Sequence, residues 1–232
     1  MSSPAPTSVP ALEPSSRKRL SSEDRKQQLI EQAIHLFSQR GFSGTRTKDI
    51  AAACDVSEGI LFRHFATKED LYRAILESHA DEAGSHEFMQ ELKRCASAKD
   101  DRNLVREMLR HILSSFRDNR EFHRLMMYAW LEGHALADLA HQQLGLPVLD
   151  FISGYIVSRQ KDGAFRAGDP DALTVALFAP ALQFAMSKYI FGMAAFQQED
   201  DAVLEQFTEF LLGGLQPASA QKKGAVLKKL GS

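Results

Sequence analysis

Cysteine is scarce in this chain of 232 residues: Cys54 and Cys95 are the whole supply. They form no C-x-x-C pair, and one possible bridge is no framework. A disulfide-stapled secreted domain and a structural zinc site are therefore excluded, and a reducing cytoplasm suits the chain. Long apolar runs are missing as well. The longest charge-free stretch, residues 172–187, contains Pro180 and Gln183 and is shorter than the ~20 apolar residues of a membrane span, so no transmembrane helix is expected. The opening residues lack a basic start followed by an apolar segment, so a secretory signal is not expected either. Residues 1–20, rich in Ser and Pro and carrying Arg17-Lys18-Arg19, read as a disordered leader with a basic arm.

Catalytic motifs are also absent. There is no P-loop, no G-x-G-x-x-G and no G-x-S-x-G. His86-Glu87 begins a zinc-protease pattern, but Gln90 stands where the second His belongs. The eight histidines are scattered, and the pairs His79/His86 and His134/His141 lie two helical turns apart, too far for one metal. No cofactor, no metal and no enzymatic activity are expected.

What remains is an ordinary globular composition, 44% hydrophobic and 25% charged, with the charge unevenly spread. Residues 17–68 carry ten basic and six acidic side chains, whereas residues 86–215 carry thirteen basic and eighteen acidic ones. The net charge of −2 thus hides a basic N-terminal part suited to a polyanion and an acidic body that is not.

Leu29, Ile30, Ala33, Ile34 and Phe37 recur at helical spacing behind the cap-and-acid run Ser21-Ser22-Glu23-Asp24, which predicts a helix over 22–40 stopped by Gly41. Thr45 or Thr47 is placed to cap a short second helix that carries Ile50, Ala51 and Cys54 inward. Ser57 then caps a third, with Leu61 and Phe65 on its inner side. Two short helices joined this tightly form a helix-turn-helix. Thr67 and Asp70 make a capping box for a fourth helix running toward His79. Beyond it, helical periodicity covers 102–117, 121–132, 135–161 with a break at 145–147, 170–196 with a kink at Pro180, and 200–215. No alternating strand pattern intervenes. The expected fold is all-α: a three-helix N-terminal domain over 21–67, a larger helical domain over 68–215 and a loose tail over 216–232.

With Leu61 and Phe65 turned inward, Gly59, Ile60 and Arg63 fall on the opposite side of the third helix, flanked by Phe62 and His64. That narrow face, partly apolar and with one long donor, suits the major groove: Gly59 allows close approach, Ile60 can meet a thymine methyl, and Arg63 can bond guanine. Ser57 and Thr47, at helix starts, offer hydroxyls and amides to phosphates, and Lys68 adds a cation.

The stretch Gly41-Phe42-Ser43-Gly44-Thr45-Arg46-Thr47-Lys48-Asp49-Ile50-Ala51, followed by Val56-Ser57-Glu58-Gly59-Ile60-Leu61-Phe62-Arg63-His64-Phe65 and Thr67-Lys68-Glu69-Asp70-Leu71, resembles the DNA-binding domain of the TetR/AcrR transcriptional regulators. The resemblance covers about residues 22–75. It implies a cytoplasmic all-α homodimer, usually a repressor, that binds a palindromic DNA operator and is released from it by a small-molecule effector. It also places Thr47, Ser57, Gly59, Ile60, Phe62, Arg63, His64 and Lys68 where family members touch DNA. Three positions depart from the usual pattern: Asp55 in place of a turn Gly, Glu58 in place of a common Lys, and Phe62 in place of a frequent Tyr.

The resemblance implies an effector pocket in the C-terminal body, where aromatic residues and methionines concentrate. Trp130 and Tyr128 join ring area to a hydrogen-bonding tip, Gln183 and His134 offer polar contacts on apolar segments, and Met127, Phe151 and Tyr155 complete the expected lining for a small, largely apolar ligand. Residues 172–196 are apolar nearly all round, so that helix must be buried, and with residues 200–215 it can meet a second copy in a four-helix bundle. Ala176, Ala179 and Ala185 would permit the close approach.

Overall fold

The first helix, α1 (Ser22–Gly44), is fixed at its start by a reciprocal cap. The Ser21 hydroxyl accepts from the Asp24 amide at 3.0 Å while the Asp24 carboxylate accepts from the Ser21 amide at 3.3 Å. The regular helix stops at Gly41, whose φ of 70° and ψ of 177° break it before one last turn through Gly44. Thr45 does not cap the next helix. It is buried, and its hydroxyl donates to the Gly41 carbonyl at 2.8 Å, sealing the end of α1. Helix α2 (Thr47–Ala53) starts instead on the backbone of Arg46 with no side-chain cap.

The computed structural model describes residues 21–82 and 85–217, so the expectations for the leader 1–20 and for residues 218–232 of the tail lie outside the described residues. Helix α3 (Glu58–His64) follows a turn in which Asp55 adopts φ 54°, the left-handed conformation that this residue type tolerates. Helix α4 (Lys68–Glu82) opens on the expected capping box, the Thr67 hydroxyl accepting from the Asp70 amide at 3.0 Å and the Asp70 carboxylate accepting from the Thr67 amide at 3.1 Å.

Then come α5 (Ser85–Ser97), α6 (Asp101–Asp118), α7 (Arg120–Leu131), α8 (Ala135–Ala140), α9 (Leu146–Lys161), α10 (Pro170–Ala185) and α11 (Asp200–Leu215). No strand occurs among the described residues. The break expected at 145–147 is a π-helical turn, His141–Gly145, that joins α8 to α9 without ending the helical path. Pro180 does not break α10, which stays α-helical through it. The carbonyl that Pro180 deprives of a partner belongs to Ala176 on the exposed side, where water can serve it. The irregularity comes later, in a second π-helical turn at Met186–Ile190.

Packing divides into two cores. The first gathers Leu29, Ala33 and Phe37 of α1, Ile50 of α2, Leu61 of α3 and Leu71, Tyr72 and Ile75 of α4, but also Phe122, Leu125 and Ala129 of α7 and Ala137 of α8. The boundary expected at 67/68 therefore does not divide the packing: α4, α7 and α8 share a core with the helix-turn-helix. The second core joins α5, α6, α9, α10 and α11 around Leu92, Met108, Leu109, Ile152, Ile156 and Ala181.

With its π-helical turn, α10 spans 21 residues, long and apolar enough to cross a membrane by length and composition. Its Thr174, Leu177, Ala181, Phe184 and Ala185 are nevertheless buried in the second core, so protein contacts account for its apolar character on that side. On the other side Val175, Ala176, Ala179 and Leu182 are exposed, and on α11 Phe210 is 76% exposed. Ala185, expected on the outer face, is in the core.

Candidate nucleic-acid interface

Leu61 is fully buried and Phe65 nearly so, which anchors α3 by the side that faces α1 and α2. The turn before it is tied by the Val56 amide donating to the Ala51 carbonyl at 3.0 Å. The opposite side of α3 consequently faces solvent: Gly59, Phe62 and Arg63 are exposed, and Ile60 and His64 are half-buried. Phe62 shows 44% of its surface, a large apolar ring left uncovered beside a guanidinium. Ser57 occupies the N-cap position of α3, yet its hydroxyl makes no capping bond and stays exposed.

Two expected phosphate-binding residues are engaged within the protein. The Thr47 hydroxyl donates to the Glu58 carboxylate, tying the start of α2 to the start of α3. Glu58 sits in the first turn of α3, where the helix dipole favours an anion, so the bond orients a carboxylate at the edge of the recognition face. Lys68 is turned inward, its ammonium donating to the Phe42 carbonyl and lying over the Phe42 ring. Burial pulls its pKa down from the usual lysine value. Two cations not singled out beforehand, Arg46 and Lys48, are exposed at the start of α2. Their signal was their place beside Thr47 in the sequence. Arg25 belongs to the scaffold, donating to the Cys54 carbonyl at 3.1 Å and so closing the end of α2.

Residues 29–75 match the model of the family described as bacterial regulatory proteins, tetR family. This segment is similar to the DNA-binding domain of the tetR family. The transcriptional regulator AcrR of Shigella flexneri is 33% identical over 93 residues, 40% of this chain and 42% of AcrR. The uncharacterised regulator YerO of Bacillus subtilis is 26% identical over 104 residues, 45% of this chain and 35% of YerO. The chain thus spans less than half the length of these relatives. Among solved structures, a TetR-family regulatory protein from Rhodococcus RHA1 has a TM-score of 0.61 at 19% identity, covering 84% of this chain and 98% of that one. AibR, solved with isovaleryl coenzyme A and operator DNA, has a TM-score of 0.57 at 22% identity, covering 83% and 98%. At these identities the likeness is one of fold.

In the C-terminal body an apolar cavity of about 490 Å³ lies between α5, α6, α9 and α10. Phe88, Phe116, Val148, Phe178 and Leu182 form its walls, and its polar groups are His111, Ser115, His123 and His141. None of the seven residues expected to line a pocket does so here. Trp130 is 54% exposed on α7, and the Tyr128 hydroxyl donates to the Gln39 carbonyl at 3.2 Å, fastening α7 to α1. His134 meets the Phe42 ring at a tilt, centroids 4.3 Å apart, where Phe42 packs on the first core. The Tyr155 hydroxyl donates to Asp101, which Arg159 grips with two bonds of 2.8 Å. Gln183 is exposed and donates to Ser187, Phe151 packs on the second core, and Met126, not Met127, packs on the first. Ring area marked these residues in the sequence, but helix phase turned them to interfaces or solvent.

Proposed function

We propose that this chain is a sequence-specific DNA-binding transcriptional regulator acting as a homodimer, most simply a repressor that leaves its operator when a small apolar effector occupies the body. The observation that carries this reading is the solvent-facing surface of α3, where Gly59, Ile60, Phe62 and Arg63 stand opposite the buried Leu61. Ser57 and the amides at the starts of α2 and α3, with Arg46 and Lys48 beside them, would hold the phosphates. A second copy packed on the exposed apolar row of α10 and on Phe210 of α11 would bury surface otherwise wet, and would set two recognition helices about one DNA turn (~34–36 Å) apart on a palindromic site.

The cavity between α5, α6, α9 and α10 is our candidate effector site. Its lining includes the exposed Val175 and Leu182 of α10, the helix offered to the second copy, so ligand and dimer geometry would share one element. The solved complex of AibR, a protein of the same fold, with both isovaleryl coenzyme A and operator DNA supports a fold able to serve both ligands. If effector and operator compete through two conformations, each must weaken the other by the same factor.

Selection of bound duplexes from a random DNA pool at two salt concentrations tests the reading. A palindromic motif whose affinity falls steeply with salt is expected. Failure to enrich any sequence at low salt would remove α3 from a DNA-reading role.

A further inference from the structure

Three histidines, one from each of three helices, meet where the apolar cavity joins a smaller one of about 210 Å³. His79 of α4 lies flat on Phe122 with ring centroids 3.5 Å apart, His111 of α6 on Phe88 at 3.8 Å, and His123 of α7 on Phe116 at 3.7 Å. His79 and His123 meet edge-on at 6.5 Å, and the Ser115 hydroxyl and His123 Nε2 are 2.9 Å apart. His111, Ser115 and His123 line both cavities.

Burial keeps these rings neutral. Desolvation first, and then the neighbouring imidazole, push His79 and His123 down to about 4, and burial lowers His111 as well. The nearby charges stand on the outer rims. Glu31, Arg117, Asp118, Arg120 and Glu121 border the cleft outside His79, and Glu87, Glu91, Glu107, Arg110, Asp200 and Asp201, with Arg117 again, border the one outside His111. Among the described residues, α9 and α10 bring only apolar side chains to the wall, and the remaining imidazole on it is His141 of the π-helical turn.

These groups select a ligand by its polar end. A cation meets no carboxylate in the apolar cavity. A permanent anion such as a sulfonate would be stripped of water against uncharged rings, at a cost of several kcal/mol. A carboxylate escapes both penalties, because it can take one proton from solvent on entry and bind as the neutral acid, which a sulfonate cannot. One carboxyl oxygen can accept from an imidazole N–H or the Ser115 hydroxyl. The proton either stays on the acid or passes to the lone pair of a ring nitrogen, giving an ion pair of the same total charge. A lone hydroxyl would leave most of this donor and acceptor capacity unused.

We propose that the effector is an apolar carboxylic acid, taken up together with one proton and held by His111, Ser115 and His123. This rests on the reading of the cavity as the effector site.

Decanoate and decan-1-ol are the probes, titrated into the full-length protein by calorimetry between pH 6.5 and 8, in buffers of different ionisation enthalpy. Decanoate should bind with uptake of about one proton, weakening about tenfold per pH unit because only the complex holds the proton, while the weaker binding of decan-1-ol stays flat. His123→Gln should cost decanoate at least about tenfold and leave decan-1-ol nearly unchanged, a loss of about 1.4 kcal/mol. The wild-type proton count decides the question even if that variant folds poorly. Decan-1-ol binding as tightly as decanoate, or decanoate binding without proton uptake, would overturn the ligand class and leave the cavity as the site. Decanoate binding untouched by Ala179→Trp, which fills the cavity, or no binding of either probe, would overturn the cavity reading and this inference with it.

Discussion

The Lys68 ammonium lies 4.0 Å from the centre of the Phe42 ring and donates to the carbonyl oxygen of the same residue. It closes the last turn of α1 from the start of α4. Phe42 in turn packs on Tyr72 and His134, at 5.1 and 4.3 Å, so one cation holds the joint between the helix-turn-helix and the body. A lysine placed this way serves the fold before it serves a phosphate.

Lys68→Ala should therefore lower unfolding stability by about 2 kcal/mol, the worth of a charged hydrogen bond with its ring contact. The slope of log affinity for DNA against log salt should hardly change. Urea denaturation and salt-dependent DNA titration of the same preparation separate the outcomes, since a phosphate contact would flatten the slope by about one.

Glu58 presents a carboxylate at the edge of the recognition face, oriented by the Thr47 hydroxyl. Near a phosphate backbone that charge opposes binding. Glu58→Lys should free Thr47, tighten binding to all DNA sequences alike and steepen the salt slope by about one. Fluorescence anisotropy on cognate and random duplexes checks this; tightening confined to one sequence would instead mark Glu58 as a base-reading residue.

Arg63 stands exposed on α3 with its guanidinium free of the core. Arg63→Ala should cost ~1–3 kcal/mol on the selected operator and much less on random DNA, relaxing sequence preference at one position of each half-site. Equal losses on both would make it a phosphate contact.

Much of this was legible in the sequence because it rests on local chemistry. Ser21 with Asp24, Thr67 with Asp70 and the left-handed Asp55 are decided within four residues of chain, and each stands where the pattern put it. Helix α5 was equally legible and passed over: Phe88, Met89, Leu92, Cys95 and Ala96 recur at helical spacing onto the second core. What the sequence withheld is decided between distant segments. Thr45 turns back to Gly41 because α1 ends there, Lys68 finds Phe42 across 26 positions, and Tyr128 finds Gln39 across 89. The cavity was hidden for the same reason, since its histidines look scattered until α4, α6 and α7 bring them together.

Those histidines also make stability depend on pH. An imidazole in the unfolded chain titrates near 6.5, whereas folded His79 and His123 titrate at about 4. Between the two values the unfolded chain binds more protons, so the contribution is complete above pH 6.5 and is lost as pH falls toward 4. A shift of this size corresponds to ~3 kcal/mol for one ring, an upper bound for two rings that feel each other. Urea unfolding at pH 5, 6 and 7 should show wild type losing stability on acidification, and His123→Gln losing less. Carboxylates common to both proteins contribute equally, so the difference between the two curves isolates the ring. Parallel curves would show that His123 is not buried in its neutral form.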